Sequence, residues 1–394
     1  MPAETARQFE TLEASAQTLM GVFARAGFEA VSPAIIQPAD VFLRVVGERL
    51  RARTYVFSDL DGDELCMRPD ITVPACRLHL ERHPNGRVPA KYSYNGPAFR
   101  YQPQGSGRAH TREFRQTGIE AFGEANRERA EAEIVSTIVT GLEATGLSSY
   151  ALRFGDLGIL RAILTASEMP GRWRQRLLHL FWHPDTFRAE LNRLTVEPGA
   201  KSANVPKALR DALDPDDPEG AEAAVAAYLE ASGIEPIGQR GIAEIAENLL
   251  AHIEDARSGP LSAKTAQLIA SYVAIVASAR TSARKIRELA TLMGVNIEAA
   301  VGAYEWRLEL MAREGIDLDR AEFSADFGRA LEYYTGFVFE VVTPELGRKS
   351  PVAGGGRYDH LLKTVGAPED VPAVGAAVHT DRLVPALNGN GGGA

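Results

Sequence analysis

The chain has 394 residues, 45% hydrophobic and 24% charged, which are globular proportions and enough for two or three units around sizeable cores. A formal net charge of −9 argues against a broad basic face for gripping nucleic acid, while leaving room for a local basic patch. Cys66 and Cys76 make no metal-type pair and suit a reducing compartment, residues 1–23 lack a signal-peptide layout, and the most apolar run, 268–279, is too short to span a bilayer. The expectation is a cytoplasmic protein with no membrane partner.

In chain order, Phe9, Leu12, Leu19 and Phe23 recur at helical spacing over residues 4–26, and Gly27 suits the C-terminal cap. The prolines of PAIIQPADVF (33–42) forbid a central strand and suggest an edge or a dimer contact. Strands are expected at 54–58 and 64–67 around an acidic turn whose spacing is not that of an EF-hand. MRPDIT (67–72) then runs into a helix over 73–81. Asp70 and Thr72 could cap that helix or be aimed into a pocket.

Residues 99–123, FRYQPQGSGRAHTREFRQTGIEAFG, read as a hairpin. Phe114, Gln116, Gly118 and Glu120 follow one another on a period of two, after a loop with three turn residues and Arg108, His110 and Arg112. Arg100 and Arg112 offer planar forks to a carboxylate or phosphate; the alternative is a solvated surface hairpin. A helix over 126–145 and a strand over 151–155 follow. Helical patterns then dominate from 157 to 320, with Trp173, Leu177, Leu180 and Phe181 as helix core. Strands return at 322–327 and 336–343, and a last strand and helix occupy 372–387. The domains expected are a core over 1–156, a helical insertion over 157–320, the rest of the core over 321–387 and a flexible tail over 388–394.

The run Gly354–Gly356 matches neither GxxxxGK[ST] nor GxGxxG, so close backbone approach to a small ligand or a simple turn explains it better. The eight histidines show no metal spacing, and there is no GxSxG elbow. What remains is a scattered polar set: Asp70, Thr72, Arg100, Arg112, Gln116, Glu120, Arg329, Tyr333 and Tyr334. Such groups could hold a small zwitterion, acids taking its ammonium and an arginine its carboxylate.

The order MRPDIT, FRYQP…REFRQTGIEAFG, RALEYYTGFVFE, AGGGRYD and AVGAAVHTDRL resembles the catalytic core of the histidyl-tRNA synthetase family over nearly the whole chain apart from the helical insertion. The resemblance implies an α+β fold, a class II aminoacyl-tRNA synthetase-like antiparallel sheet flanked by helices, with an α-helical insertion. It makes PAIIQPADVF the dimerisation motif. It implies that Asp70, Thr72 and Gln116 hold the α-amino group of histidine and that Glu120 and Tyr334 hold the imidazole. Arg100 and Arg329 would face the carboxylate, with Tyr333 beside them.

Departures from the family pattern are specific. Gln102 stands where an acid is usual, the loop is longer around 109–111, RGLDYY becomes RALEYY, and His379 stands where a glycine packs on adenine, although Arg382 matches. Only twelve residues follow Arg382, where a synthetase carries its anticodon-binding domain. The combination resembles the ATP phosphoribosyltransferase regulatory subunits, synthetase paralogues that act in histidine biosynthesis. That resemblance implies no catalytic residues, no cofactor, no metal and no tRNA. It implies L-histidine as ligand, a short catalytic subunit as partner, and a homodimer within a hetero-oligomer under histidine feedback. The alternative is a histidyl-tRNA synthetase-type enzyme activating histidine with ATP.

Overall fold

The computed structural model describes residues 5–45, 48–102, 111–196, 205–234, 241–328 and 333–389. The chain forms two compact units, one made of Met1–Ala162, Tyr272–Leu292 and Asn296–Ala394, the other of Ile163–Ser271 with Met293–Val295. The helical unit is therefore narrower than the 157–320 expected from sequence. Helical periodicity does continue past Tyr272, but those elements serve the sheet: the strand Val276–Ser278 pairs into it, and the helix Glu298–Arg313 buries Arg307 beside it.

Twelve strands are described: β1 (Glu29–Ala30), β2 (Ile36–Pro38), β3 (Tyr55–Ser58), β4 (Glu64–Met67), β5 (Ala90–Phe99), β6 (Glu113–Phe122), β7 (Ala151–Asp156), β8 (Val276–Ser278), β9 (Ala321–Ser324), β10 (Phe337–Val342), β11 (Ala353–Arg357) and β12 (Ala373–His379). Nine of them form one sheet in the order β1-β5-β6-β12-β11-β10-β7-β9-β8. Neighbours run antiparallel except β1 with β5 and β7 with β9. This is the α+β sheet flanked by helices that the motif order implied.

The expected hairpin is β5 with β6, ten residues each, in register from Ala90 opposite Phe122 to Phe99 opposite Glu113. The loop carrying Arg108 and His110 lies outside the described residues. Of the two readings for Gly354–Gly356, the simple turn is corrected: the run is the middle of β11, paired on both sides. A side chain at Gly355 would collide with the β12 backbone, so glycine is what lets these strands close up. β2, β4 and β3 make a separate three-stranded sheet, with the proline-flanked β2 at its edge as expected. Asp59 Oδ1 accepts from the amides of Asp61 and Asp63, which makes the β3–β4 connection a plain acidic turn.

Helix ends follow their capping chemistry. Thr5 and Gln8 form a capping box on the helix Ala6–Arg25, and Asn126 caps Arg127–Ala144 through a 3.0 Å bond to the Arg129 amide. In the helical unit, Val205, Leu209, Val225 and Ile253 lie in one buried cluster. Asp255, buried among the neighbouring helices, accepts from Arg172 (2.6 Å), Trp173 Nε1 (2.6 Å) and Arg176 (2.9 Å). Among the described residues no helix is long and apolar enough to cross a membrane.

Candidate functional site

Pairing on β5, β6 and β12 decides which side chains meet. Tyr94 stands opposite Gly118, Gly375 opposite Glu120, and Gly356 opposite Gly375, so all of these face the same side of the sheet. The glycines pave that side. A methyl group at Gly118 would lie 2.6 Å from the Tyr94 hydroxyl and 2.7 Å from the Ala376 carbonyl oxygen, and one at Gly375 would collide with Glu120 Oε2. Their absence lets Tyr94 and Glu120 lie flat over the strands.

Glu120 is fully buried and spends both oxygens. Oε1 accepts from Thr72 Oγ1 at 2.8 Å and from the Tyr94 hydroxyl at 2.9 Å; Oε2 accepts from the Tyr358 hydroxyl. Burial pushes its carboxyl up to about 7, because the three hydroxyls recover only part of the lost hydration. Tyr358 and Tyr94 are themselves driven well above the ordinary phenol range, by burial first and by the glutamate charge second.

The MRPDIT segment is stitched to the end of the hairpin. Arg68 donates to the carbonyls of Pro33 (2.6 Å) and Pro97 (2.8 Å), the Phe99 amide donates to Arg68 O, Arg100 Nε to Pro69 O at 2.7 Å, and the Ile71 amide to Gln116 Oε1 at 3.2 Å. Those bonds hold Asp70, which is 2% exposed. Its Oδ1 accepts from the Val73 amide in the first turn of the helix Thr72–Arg82, whose N-cap position is Ile71 rather than Asp70. Its Oδ2 is buried and accepts no hydrogen bond from the described residues. Burial raises this carboxyl above the ordinary aspartate value, against the pull of Arg100. Burial also brings the Arg100 guanidinium down to about 10, with Asp70 opposing the shift.

Of the expected site residues, Asp70, Thr72, Arg100, Gln116 and Glu120 come together here. Tyr333 and Tyr334 form an aromatic group with Tyr358, their ring centres 5.8 and 6.4 Å from it, and Tyr334 also lies against Gly356. Arg329 lies outside the described residues. The phenols bonded to Glu120 are Tyr94 and Tyr358, neither of which sequence reasoning assigned to the site. Tyr94 was legible in principle, because it shares its period-two face with Glu120 across a register-fixed hairpin. At the far end of the face, His379 packs its ring on Phe114, with centres 5.5 Å apart, and Arg100 covers the Phe114 ring at 4.9 Å. No group of three or more histidine, cysteine or acidic side chains able to hold a metal occurs among the described residues.

The histidyl-tRNA synthetase family model matches residues 4–259 and 243–383. The chain is 34% identical over 374 residues to an ATP phosphoribosyltransferase regulatory subunit from Mesorhizobium japonicum, covering 94% of this chain and 96% of that one. It is 33% identical over 361 residues to the subunit of the same name from Brucella anthropi, covering 90% and 92%. In fold it is similar to an ATP phosphoribosyltransferase regulatory subunit/histidyl-tRNA synthetase from Bacillus halodurans, with a TM-score of 0.70 at 19% identity over 98% of this chain and 82% of that one. A histidyl-tRNA synthetase from Nostoc superposes with a TM-score of 0.62 at 19% identity, over 99% of this chain and 76% of the other.

Proposed function

Because this chain belongs to the histidyl-tRNA synthetase family and, within it, to the ATP phosphoribosyltransferase regulatory subunits, we propose that it is a non-catalytic subunit that binds L-histidine and passes feedback inhibition to a short catalytic phosphoribosyltransferase subunit at the first step of histidine biosynthesis. The observation that carries the ligand is Asp70: a buried carboxylate with one oxygen unspent, beside Gln116 and Glu120, suits the α-ammonium of an amino acid. In this reading Glu120 accepts the imidazole N–H through the lone pair that Oε2 keeps beside its bond from Tyr358, and Arg100 supplies positive charge for the carboxylate. Tyr334 and Arg329 complete this assignment.

The stack of Arg100, Phe114 and His379 supports a site without nucleotide chemistry, since it fills the end of the face with side chains. The homodimer of this reading uses the three-stranded sheet, where Ile36 and Val56 are about half exposed and Leu60 fully so. No tRNA, metal or cofactor takes part, and the protein works in the cytoplasm. Feedback requires histidine to bind the active and inhibited states of the complex unequally, typically by about 1–3 kcal/mol.

The test is reconstitution with a short catalytic subunit. Addition of this chain should raise phosphoribosyltransferase activity, and histidine should then inhibit it; Glu120→Ala with Tyr334→Phe should leave the activation and abolish the inhibition. Unchanged histidine sensitivity in that double variant would remove the pocket assignment. Histidine-dependent pyrophosphate exchange by the chain alone would instead favour the synthetase-type reading.

A further inference from the structure

The other face of the same sheet holds a second constellation. Arg357 stands opposite Val374, one residue out of phase with Gly375, so its side chain leaves the sheet on the side away from Glu120. There it donates to Glu131 on the helix Arg127–Ala144, to Asp359 at 2.7 Å and to the Arg127 carbonyl at 3.0 Å. Arg307, from the helix Glu298–Arg313, donates through Nε to Glu131 and through Nη1 to Asp156 at 2.7 Å, and stacks on Phe337 at 4.6 Å. Burial alone would push Glu131 up, but the two arginines outweigh it and hold the carboxyl below the ordinary range. These groups form the floor of a cavity of about 330 Å³ whose rim carries Arg161 and Glu128.

A balance of partners shows what the cavity has left to offer. Glu131, Asp156 and Asp359 are spent on Arg307, Arg357 and Arg127, and Asp370 is spent on His360. Arg307 is only 6% exposed, and its Nη2 makes no hydrogen bond to any described residue. Arg161 and Glu128 likewise make no ion pair among the described residues. The unspent groups are thus one guanidinium nitrogen of the largely buried Arg307, a second guanidinium at the rim and one carboxylate. A volume at the lower end of the range for ligand sites admits a small molecule.

We propose that this cavity is a binding site for a small hydroxylated anion, whose carboxylate or phosphate lies between Arg307 and Arg161 and whose hydroxyl donates to Glu128. Two guanidinium donors converging on one anion form charge-assisted bonds of the strong kind, and the stacked, ion-paired setting of Arg307 fixes its fork before the ligand arrives. The ligand makes no contact with the Glu120 face, so histidine does not compete for it. The site stands whether or not the regulatory reading holds.

Glycerol 3-phosphate and glycerate, which differ in the anionic group, test it by calorimetric titration of the full chain at fixed ionic strength, with glycerol as the neutral control. At least one of the two anions should bind saturably, and which one does identifies the anion type. Hydrogen exchange should slow in the helices Leu157–Ala166 and Glu298–Arg313. Arg161→Ala, an exposed change, should weaken binding about tenfold while leaving the urea midpoint of the free protein where it was. Arg307→Lys retains the charge but offers no second terminal nitrogen, and should weaken binding similarly. Absence of saturable binding by either anion, or equal affinity in wild type and Arg161→Ala, would overturn the proposal.

Discussion

Glu120 makes a quantitative prediction about pH. Its carboxyl titrates near 7 in the folded chain, against 4.5 for an ordinary glutamate, because burial penalises the charged form. Between those values the folded state holds a proton that the unfolded state has released, so the contribution of Glu120 to stability is complete below pH 4.5 and is lost as pH rises through 7. Integrated from pH 5 to pH 8, a shift of that size amounts to about 2–3 kcal/mol. Glu120→Gln removes the titration while keeping size and an acceptor oxygen for the hydroxyls. Urea unfolding of wild type and variant at the two pH values isolates the effect, since every other group titrates in both. The stability of the variant relative to wild type should rise by about 2–3 kcal/mol between pH 5 and pH 8. A difference that stays constant across that range would refute the claim that desolvation, rather than the three hydroxyls, dominates the environment of this carboxyl.

Three further outcomes are expected. Asp70→Asn keeps an oxygen for the Val73 amide and removes a buried charge with an unspent oxygen, so the free protein should gain about 1 kcal/mol at pH 8 by urea unfolding while calorimetric histidine affinity falls about tenfold or more. Gly375→Ala drives a methyl into Glu120 and toward the Ile119 carbonyl at 2.7 Å; it should cost about 2 kcal/mol, and a midpoint equal to wild type would show that the strands can part. Asp255→Ala strands Trp173 Nε1 and shifts the load of Arg172, Arg176 and Arg193 onto Glu190 and Glu254. Loss of about 3 kcal/mol is expected, read by hydrogen exchange as faster exchange confined to Ile163–Ser271.

Much of the fold was legible because its signals are local. Period-two alternation marked β6, an amphipathic stripe marked Arg127–Ala144, and prolines marked the edge position of β2. Gly354–Gly356 does not read as a strand because glycine has poor strand propensity, and only the crowding of β11 against β12 makes it the residue that fits. The end of the helical unit was missed for a related reason: Val276–Ser278 is three residues long, too short for a period to show, and earns its place by pairing with β9. In the site, Glu120 and Asp70 stood out as acids in motifs. Their environment did not, because the hydroxyls of Tyr94 and Tyr358 reach Glu120 from 26 and 238 residues away. The Arg307–Glu131–Arg357 cluster was invisible for the same reason: Arg357 stood out as part of AGGGRYD, but Glu131 and Arg307 lie 226 and 50 residues away and read as ordinary helix charges.

The glycine paving under Glu120 also limits how the proposed histidine pocket can diversify. Any single substitution at Gly118, Gly356 or Gly375 adds atoms where neighbouring groups already stand within contact distance, so mutation of the floor can fill the pocket but never enlarge it. Room for a larger ligand has to come from trimming Tyr94, Tyr334 or Tyr358, and two of those are the hydroxyls that hold Glu120 in place. Trimming either of those two loosens the buried acid, whereas a smaller side chain at Tyr334 leaves both bonds to Glu120 in place, so Tyr334 is the position from which this architecture can change ligand at least cost to its buried acid.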